Sequence, residues 1–215
     1  MPSSRPGSFD YAQDDNGGDF SRAYTKIRLF DQQVKLGAIL NGRVVLDIGS
    51  STGGFTQFAL EKGAKKVIAV EIGSRQMVPE LALDQRVKLY EKTDILNVVS
   101  ENADEKLRSN KKVIQTPDCA VMDASFTGSQ DILLHLRTSI LRRSSEVVLL
   151  FKPQFEAYDH ELNNGVIKNS KARRLIIKEF EQWLIKNGFK IEAKQDSGLA
   201  GSKGNVERFY LLRVI

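Results

Sequence analysis

The chain has 215 residues, 41% of them apolar and 27% charged, which suits one globular domain with a sizeable core. One cysteine, Cys119, excludes an internal disulfide framework and fits a reducing compartment; in an apolar run it reads as a small buried hydrophobe. No apolar run of about 18 residues marks a membrane span, and no basic-then-apolar start marks a secretion signal, so the expected location is the cytoplasm.

The net charge of +5 is uneven. Residues 1–20 hold Arg5 against Asp10, Asp14, Asp15 and Asp19, so the remainder is more basic than the total suggests. A basic body is compatible with a polyanionic partner, and equally with a merely basic surface.

Residues 1–20, rich in Ser, Pro, Gly and Asp and without periodicity, are expected to form a disordered arm. "RVVLDIG" (43–49) predicts a buried strand, and "GFTQFALEKG" (54–63) the helix after it, closed by Gly63. "KKVIAVEIG" (65–73), "RVKLYEKTDI" (86–95) and "DCAVMDASF" (118–126) carry the next three strands. "DILLHLRTSILRR" (131–143) predicts a helix, and "SEVVLLFKPQFE" (145–156) a fifth strand. In the predicted helix 171–188, Leu175, Ile176, Phe180, Trp183 and Leu184 repeat at helical spacing. "FKIEAKQDSG" and "VERFYLLRVI" close the chain as two strands near enough to pair as a hairpin. Strands alternating with helices predict a mostly parallel sheet covered on both faces, with the hairpin adding one antiparallel strand.

In such a sheet ligands bind beyond the carboxyl ends of the strands, above all at the first strand-to-helix turn. That turn reads Asp47-x-Gly49-x-Ser51-x-Gly53-Gly54-Phe55. It lacks the G-x-G-x-x-G dinucleotide fingerprint and the Lys-Ser/Thr of a phosphate loop. The second strand ends in Glu71, an acceptor suited to a ribose diol, and Thr93–Asp94 follows the third, placed to meet the exocyclic amine of a base. A nucleoside held by two acids without a polyphosphate pocket points to S-adenosylmethionine. The alternative is a tight turn whose glycines serve packing alone.

Four stretches, "GRVVLDIGSSTGGFTQFALEKGAKKVIAVEIG", "DCAVMDASF", "LLFKPQFEA" and "GSKGNVERF", resemble the TlyA-type (hemolysin A-like) proteins within the FtsJ-like RNA ribose 2′-O-methyltransferases. The likeness runs from about Ser21 to the C-terminus. It implies a Rossmann-like S-adenosylmethionine-dependent methyltransferase fold, seven strands with one antiparallel, over residues 21–215. It also implies S-adenosylmethionine as cofactor and ribosomal RNA or a ribosomal subunit as partner.

The family's Lys-Asp-Lys-Glu catalytic set would fall on Lys26, Asp123, Lys152 and Glu207. "SRAYTK" puts Lys26 in the first place, whereas the spacing back from Asp47 lands nearer Arg28, whose guanidinium would stay charged. Relatives usually carry an N-terminal RNA-binding domain that 20 residues could not form, so substrate affinity and choice are open on this reading.

A sugar hydroxyl is a poor nucleophile, and a positioned base or cation must help it lose its proton. On this reading Lys152 does so, Asp123 orients it, and Lys26 and Glu207 complete the ring. A second reading is an RNA- or ribosome-binding protein that keeps the fold but has lost efficient catalysis. A hemolysin ranks last, with no amphipathic pore segment. His135 and His160 stand outside any Cys or His cluster, so no metal is expected. Lys168, Lys171, Arg173 and Arg174, beside a polar loop, are candidates to rest on RNA phosphates, or else a solvated helix start.

Overall fold

The computed structural model describes residues 21–124, 128–157, 162–167, 169–201 and 203–215. The expected N-terminal arm, His160 and Lys168 lie outside the described residues. So do residues 125–127, at the end of the fourth expected strand.

Seven strands form the main sheet: β1 (Val44–Ile48), β2 (Lys66–Val70), β3 (Val87–Tyr90), β4 (Cys119–Met122), β5 (Glu146–Phe151), β6 (Phe189–Asp196) and β7 (Arg208–Val214). Their order across the sheet is β6-β7-β5-β4-β1-β2-β3. β1 pairs in parallel with β2 (Leu46 opposite Ile68) on one side and β4 (Leu46 opposite Ala120) on the other. β7 alone runs antiparallel, to both β5 and β6, as the closing hairpin predicts.

The four longer helices are α1 (Arg22–Val34), α2 (Gly54–Glu61), α3 (Ser129–His135) and α4 (Ser170–Lys186). Successive strand residues point to opposite faces, so the central strands feed two cores. Leu46, Ile68 and Leu149 pack with Ile132 of α3 and Phe180 of α4. Val45, Val67 and Val148 pack with Phe30 of α1 and Phe58 of α2 on the other face. Burying each such side chain contributes roughly 1.5–3 kcal/mol, so the central strands are the firmest scaffold available to a site at their ends.

No helix is expected over 22–34 from the sequence patterns, yet α1 is well encoded. The Ser21 hydroxyl caps it by accepting from the Tyr24 N–H at 3.2 Å, and Tyr24, Ile27 and Phe30 bury one stripe. Where one helix is expected over 131–143, α3 ends at His135 and continues as a wider π turn, Leu136–Ile140. On α4 the buried stripe is Ile176, Ile177, Phe180 and Leu184; Leu175, expected inside, is 52% exposed. Trp183 is half-buried, stacked between Phe180 and Phe189.

Two short ladders were also unforeseen, Val98–Ser100 with Lys112–Ile114 and Leu162–Asn163 with Val166–Ile167. Cys119 is fully buried, and burial pushes its thiol up to about 12, which leaves it inert. Among the described residues no helix is long and apolar enough to cross a membrane.

Candidate active site

The carboxyl ends of β1, β2, β4 and β5 converge on two adjoining cavities. The turn after β1 shapes both. Gly49 adopts φ +74°, and a Cβ there would lie 2.9 Å from the Asp123 carbonyl oxygen, so only glycine lets β1 and β4 close on each other. Asp47 stands behind this turn, fully buried, and lines neither cavity. Its Oδ2 accepts the Thr56 hydroxyl at 2.6 Å, tying α2 to β1, while Oδ1 has no partner among the described residues. Burial, reinforced by Asp123 and Glu71 against the Thr56 hydrogen bond, pushes the Asp47 carboxyl up to about 7.

Glu71, at the end of β2, accepts the Ser51 N–H at 2.9 Å and the Gly73 N–H at 2.7 Å, one on each oxygen. Both oxygens keep a lone pair for a ligand. Asp94 accepts the Leu96 N–H at 2.9 Å, and Thr93 donates to the Glu91 carbonyl at 2.8 Å. These residues line a cavity of about 240 Å³ with Gly49, Ser51 and Asp123, closed on its apolar side by Ile72, Ile95 and Ile132. Acceptors on one wall and aliphatic groups on the other fit a nucleoside, ribose toward Glu71 and base among the isoleucines. Ile132, from α3, gave no sequence signal as a site residue.

The second cavity, about 430 Å³, shares Gly49, Ser51 and Asp123 with the first. It is lined also by Gly53, Gly54 and Phe55 of the turn and by Lys26, Lys152 and Glu207. Lys152 follows β5 directly, held where Pro153 opens a single 3-10 turn, and its Nζ lies 2.8 Å from Asp123 Oδ1. Burial pushes the Asp123 carboxyl up, opposed chiefly by Lys152 and then by Lys26. Lys26, on the inner face of α1, donates from Nζ to Glu207 Oε2 at 2.7 Å, and both residues are buried. Arg28, two residues further on the helix, is exposed. The four expected catalytic positions thus fall into two ion pairs facing one cavity.

Close packing sets the position of α1. A Cβ on Gly54 would lie 2.1 Å from Ser21 Oγ and 2.8 Å from the Tyr24 nitrogen, so the helix rests directly on the glycine turn. Glu207 sits in a loop braced by Asn205, whose side chain accepts from Ile167 N at 3.1 Å and donates to the Gly165 carbonyl at 2.8 Å. Neither Asn205 nor Thr56 was expected as part of the site. Arg173, considered for RNA, is instead tied to Val206 O at 3.0 Å and to Asp196 at 2.8 Å, while Lys171 and Arg174 are exposed. Among the described residues no group of three or more His, Cys, Asp or Glu could hold a metal ion.

A sheet ordered 3-2-1-4-5-7-6 with strand 7 reversed, and a glycine turn beside a nucleoside-shaped cavity, define the class of S-adenosylmethionine-dependent methyltransferases. Residues 20–214 match the FtsJ-like methyltransferase family, to which the chain belongs. It is 33% identical over 192 residues to the 23S rRNA (cytidine-2′-O)-methyltransferase TlyA of Campylobacter jejuni, covering 88% of this chain and 69% of that protein. It is 31% identical to the 16S/23S rRNA (cytidine-2′-O)-methyltransferase TlyA of Mycobacterium tuberculosis, covering 80% of this chain and 60% of that protein. A solved structure named as a hemolysin from Lactococcus lactis superposes with a TM-score of 0.79 at 33% identity, over 90% of this chain and 87% of that one.

Proposed function

We propose that residues 21–215 form a methyltransferase domain that modifies a ribose 2′-hydroxyl of ribosomal RNA, in the cytoplasm. The observation that carries the reading is the pairing of Lys152 with Asp123 and Lys26 with Glu207 around one cavity that adjoins the nucleoside-shaped one.

S-adenosylmethionine, when bound, supplies an electrophilic methyl group on a sulfonium. Glu71 would accept from its ribose hydroxyls, Thr93 and Asp94 would meet the base edge, and Gly49, Ser51, Gly53, Gly54 and Phe55 would give the backbone close approach. The target ribose enters the larger cavity. There Lys152 Nζ, as the neutral amine, meets the 2′-oxygen and takes its proton, becoming the ammonium that Asp123 holds. Glu207 fixes Lys26, whose positive charge steadies the oxygen as the proton leaves. Positioning of the reactants roughly 3–3.5 Å apart would supply much of the acceleration, and the base a further 10²–10⁴-fold.

The test is transfer of labelled methyl from S-adenosylmethionine to purified ribosomal subunits and free rRNA, with Lys152→Ala alongside. Label that appears with the wild type and vanishes with the variant supports the assignment. Equal labelling by both proteins removes Lys152 from the mechanism.

A further inference from the structure

We propose that Arg22 is an anion-holding residue of the larger cavity, taking either the RNA phosphodiester beside the target ribose or the carboxylate at the amino-acid end of S-adenosylmethionine; the assignment rests on the functional reading above.

Among the described residues, five charged side chains line the cavity: Arg22, Lys26, Lys152, Asp123 and Glu207. Lys26 is paired with Glu207 at 2.7 Å and Lys152 with Asp123 at 2.8 Å. Arg22 is left over. Its Nη2 donates to the Ala200 carbonyl at 2.7 Å, a neutral acceptor, and among the described residues it forms no ion pair with a carboxylate. A guanidinium has five N–H donors in a planar fork, so one bond to a carbonyl leaves a fork for a two-oxygen anion.

Placement strengthens the case. Arg22 is the first residue of α1, and the Ser21 hydroxyl caps Tyr24 N beside it. The bond to Ala200 fixes the guanidinium against the loop that leads to Glu207, so the donor fork is held at the wall of the same cavity. Both candidate anions belong to molecules that this cavity must receive. A phosphodiester lies next to every ribose 2′-oxygen, and the donor's carboxylate lies on the far side of its sulfonium from the nucleoside.

The experiment compares wild type with Arg22→Gln, which removes the charge but keeps an amide donor, and Arg22→Lys, which keeps the charge. Binding is measured for three probes: S-adenosylmethionine, 5′-methylthioadenosine (the same nucleoside without the amino-acid end) and a short single-stranded RNA across a salt series. Loss of a charge-assisted contact should weaken the relevant probe about tenfold, with Lys restoring most of it. If the anion is phosphate, Arg22→Gln weakens RNA alone and lowers the salt slope by about 1. If it is the carboxylate, S-adenosylmethionine weakens while 5′-methylthioadenosine does not. Methylthioadenosine binding also reports that the variant is folded. Wild-type affinity of Arg22→Gln for all probes overturns the proposal, as does equal weakening of all three by Gln and Lys, the mark of a loop brace. A wild type that binds no S-adenosylmethionine would instead defeat the functional reading on which the proposal stands.

Discussion

Lys26 and Glu207, 181 residues apart in the chain, meet in a buried 2.7 Å ion pair that joins the first helix to the loop before the last strand. The pair closes the cavity at both ends of the sequence. Breaking it from one side leaves a buried charge without a partner, which typically costs 3–5 kcal/mol. Glu207→Gln and Lys26→Met should therefore each destabilise by about 3 kcal/mol, while the double variant should recover much of the loss. Urea denaturation of the three proteins decides it; additive losses would show that the two side chains do not act on each other.

Lys26 and Arg28 lie on opposite sides of α1, one buried and the other exposed. Lys26→Ala should lower methyl transfer by at least about 10²-fold, whereas Arg28→Ala should leave turnover within about twofold. The reverse ranking would reassign the first catalytic position to Arg28.

Gly54 lets α1 rest on the glycine turn. In Gly54→Ala the new methyl would sit 2.1 Å from Ser21 Oγ and 2.8 Å from Tyr24 N, so the start of α1 must move. An overpacked contact of this kind costs about 1–3 kcal/mol, and the displacement carries Lys26 with it. The expected outcome is a lower melting temperature together with a larger proportional loss of kcat than of cofactor affinity. A variant that loses stability but keeps full kcat would uncouple α1 from the chemistry.

The Asp47 carboxyl, at about 7 in the fold against an ordinary 3.8, binds its proton more tightly folded than unfolded. Its contribution to stability is therefore greatest below the unfolded value and is lost as pH rises through the folded one. Asp47→Asn, neutral throughout, should gain stability relative to the wild type between about pH 5 and pH 8. Urea midpoints at those two pH values measure the gain. A difference that stays constant with pH would show that Asp47 ionises freely in the fold.

Much of the scaffold was legible because β1, β2, β4 and β5 are short apolar runs bounded by glycine or charge, the pattern of strands buried on both faces. The final hairpin was legible from two strand patterns separated by a short polar link. α1 was harder to see: Tyr24, Ile27 and Phe30 are spaced among Arg, Lys and Gln, so the stripe is narrow and the local mean is polar. The wide π turn after His135 depends on packing around Leu136 and Ile140, which no local pattern encodes. At the site, Glu71 stands out in the sequence as an acid closing an apolar strand, whereas Asp123 alone reads as a turn former and is singled out by the family resemblance. Asn205 does not stand out, because its contacts are with Gly165 and Ile167, and the Arg22 contact with Ala200 is equally distant in sequence. Leu175 misled for a simpler reason, since periodicity allows either edge of a helical stripe and only the tertiary fit chose Ile177.

The most direct test of the central claim is to digest methyl-labelled rRNA to nucleosides and identify which one carries the label. A 2′-O-methylnucleoside, formed by the wild type and lost in Lys152→Ala, is the expected result. Label on a base, or a 2′-O-methylnucleoside made equally well without the lysine, would contradict it.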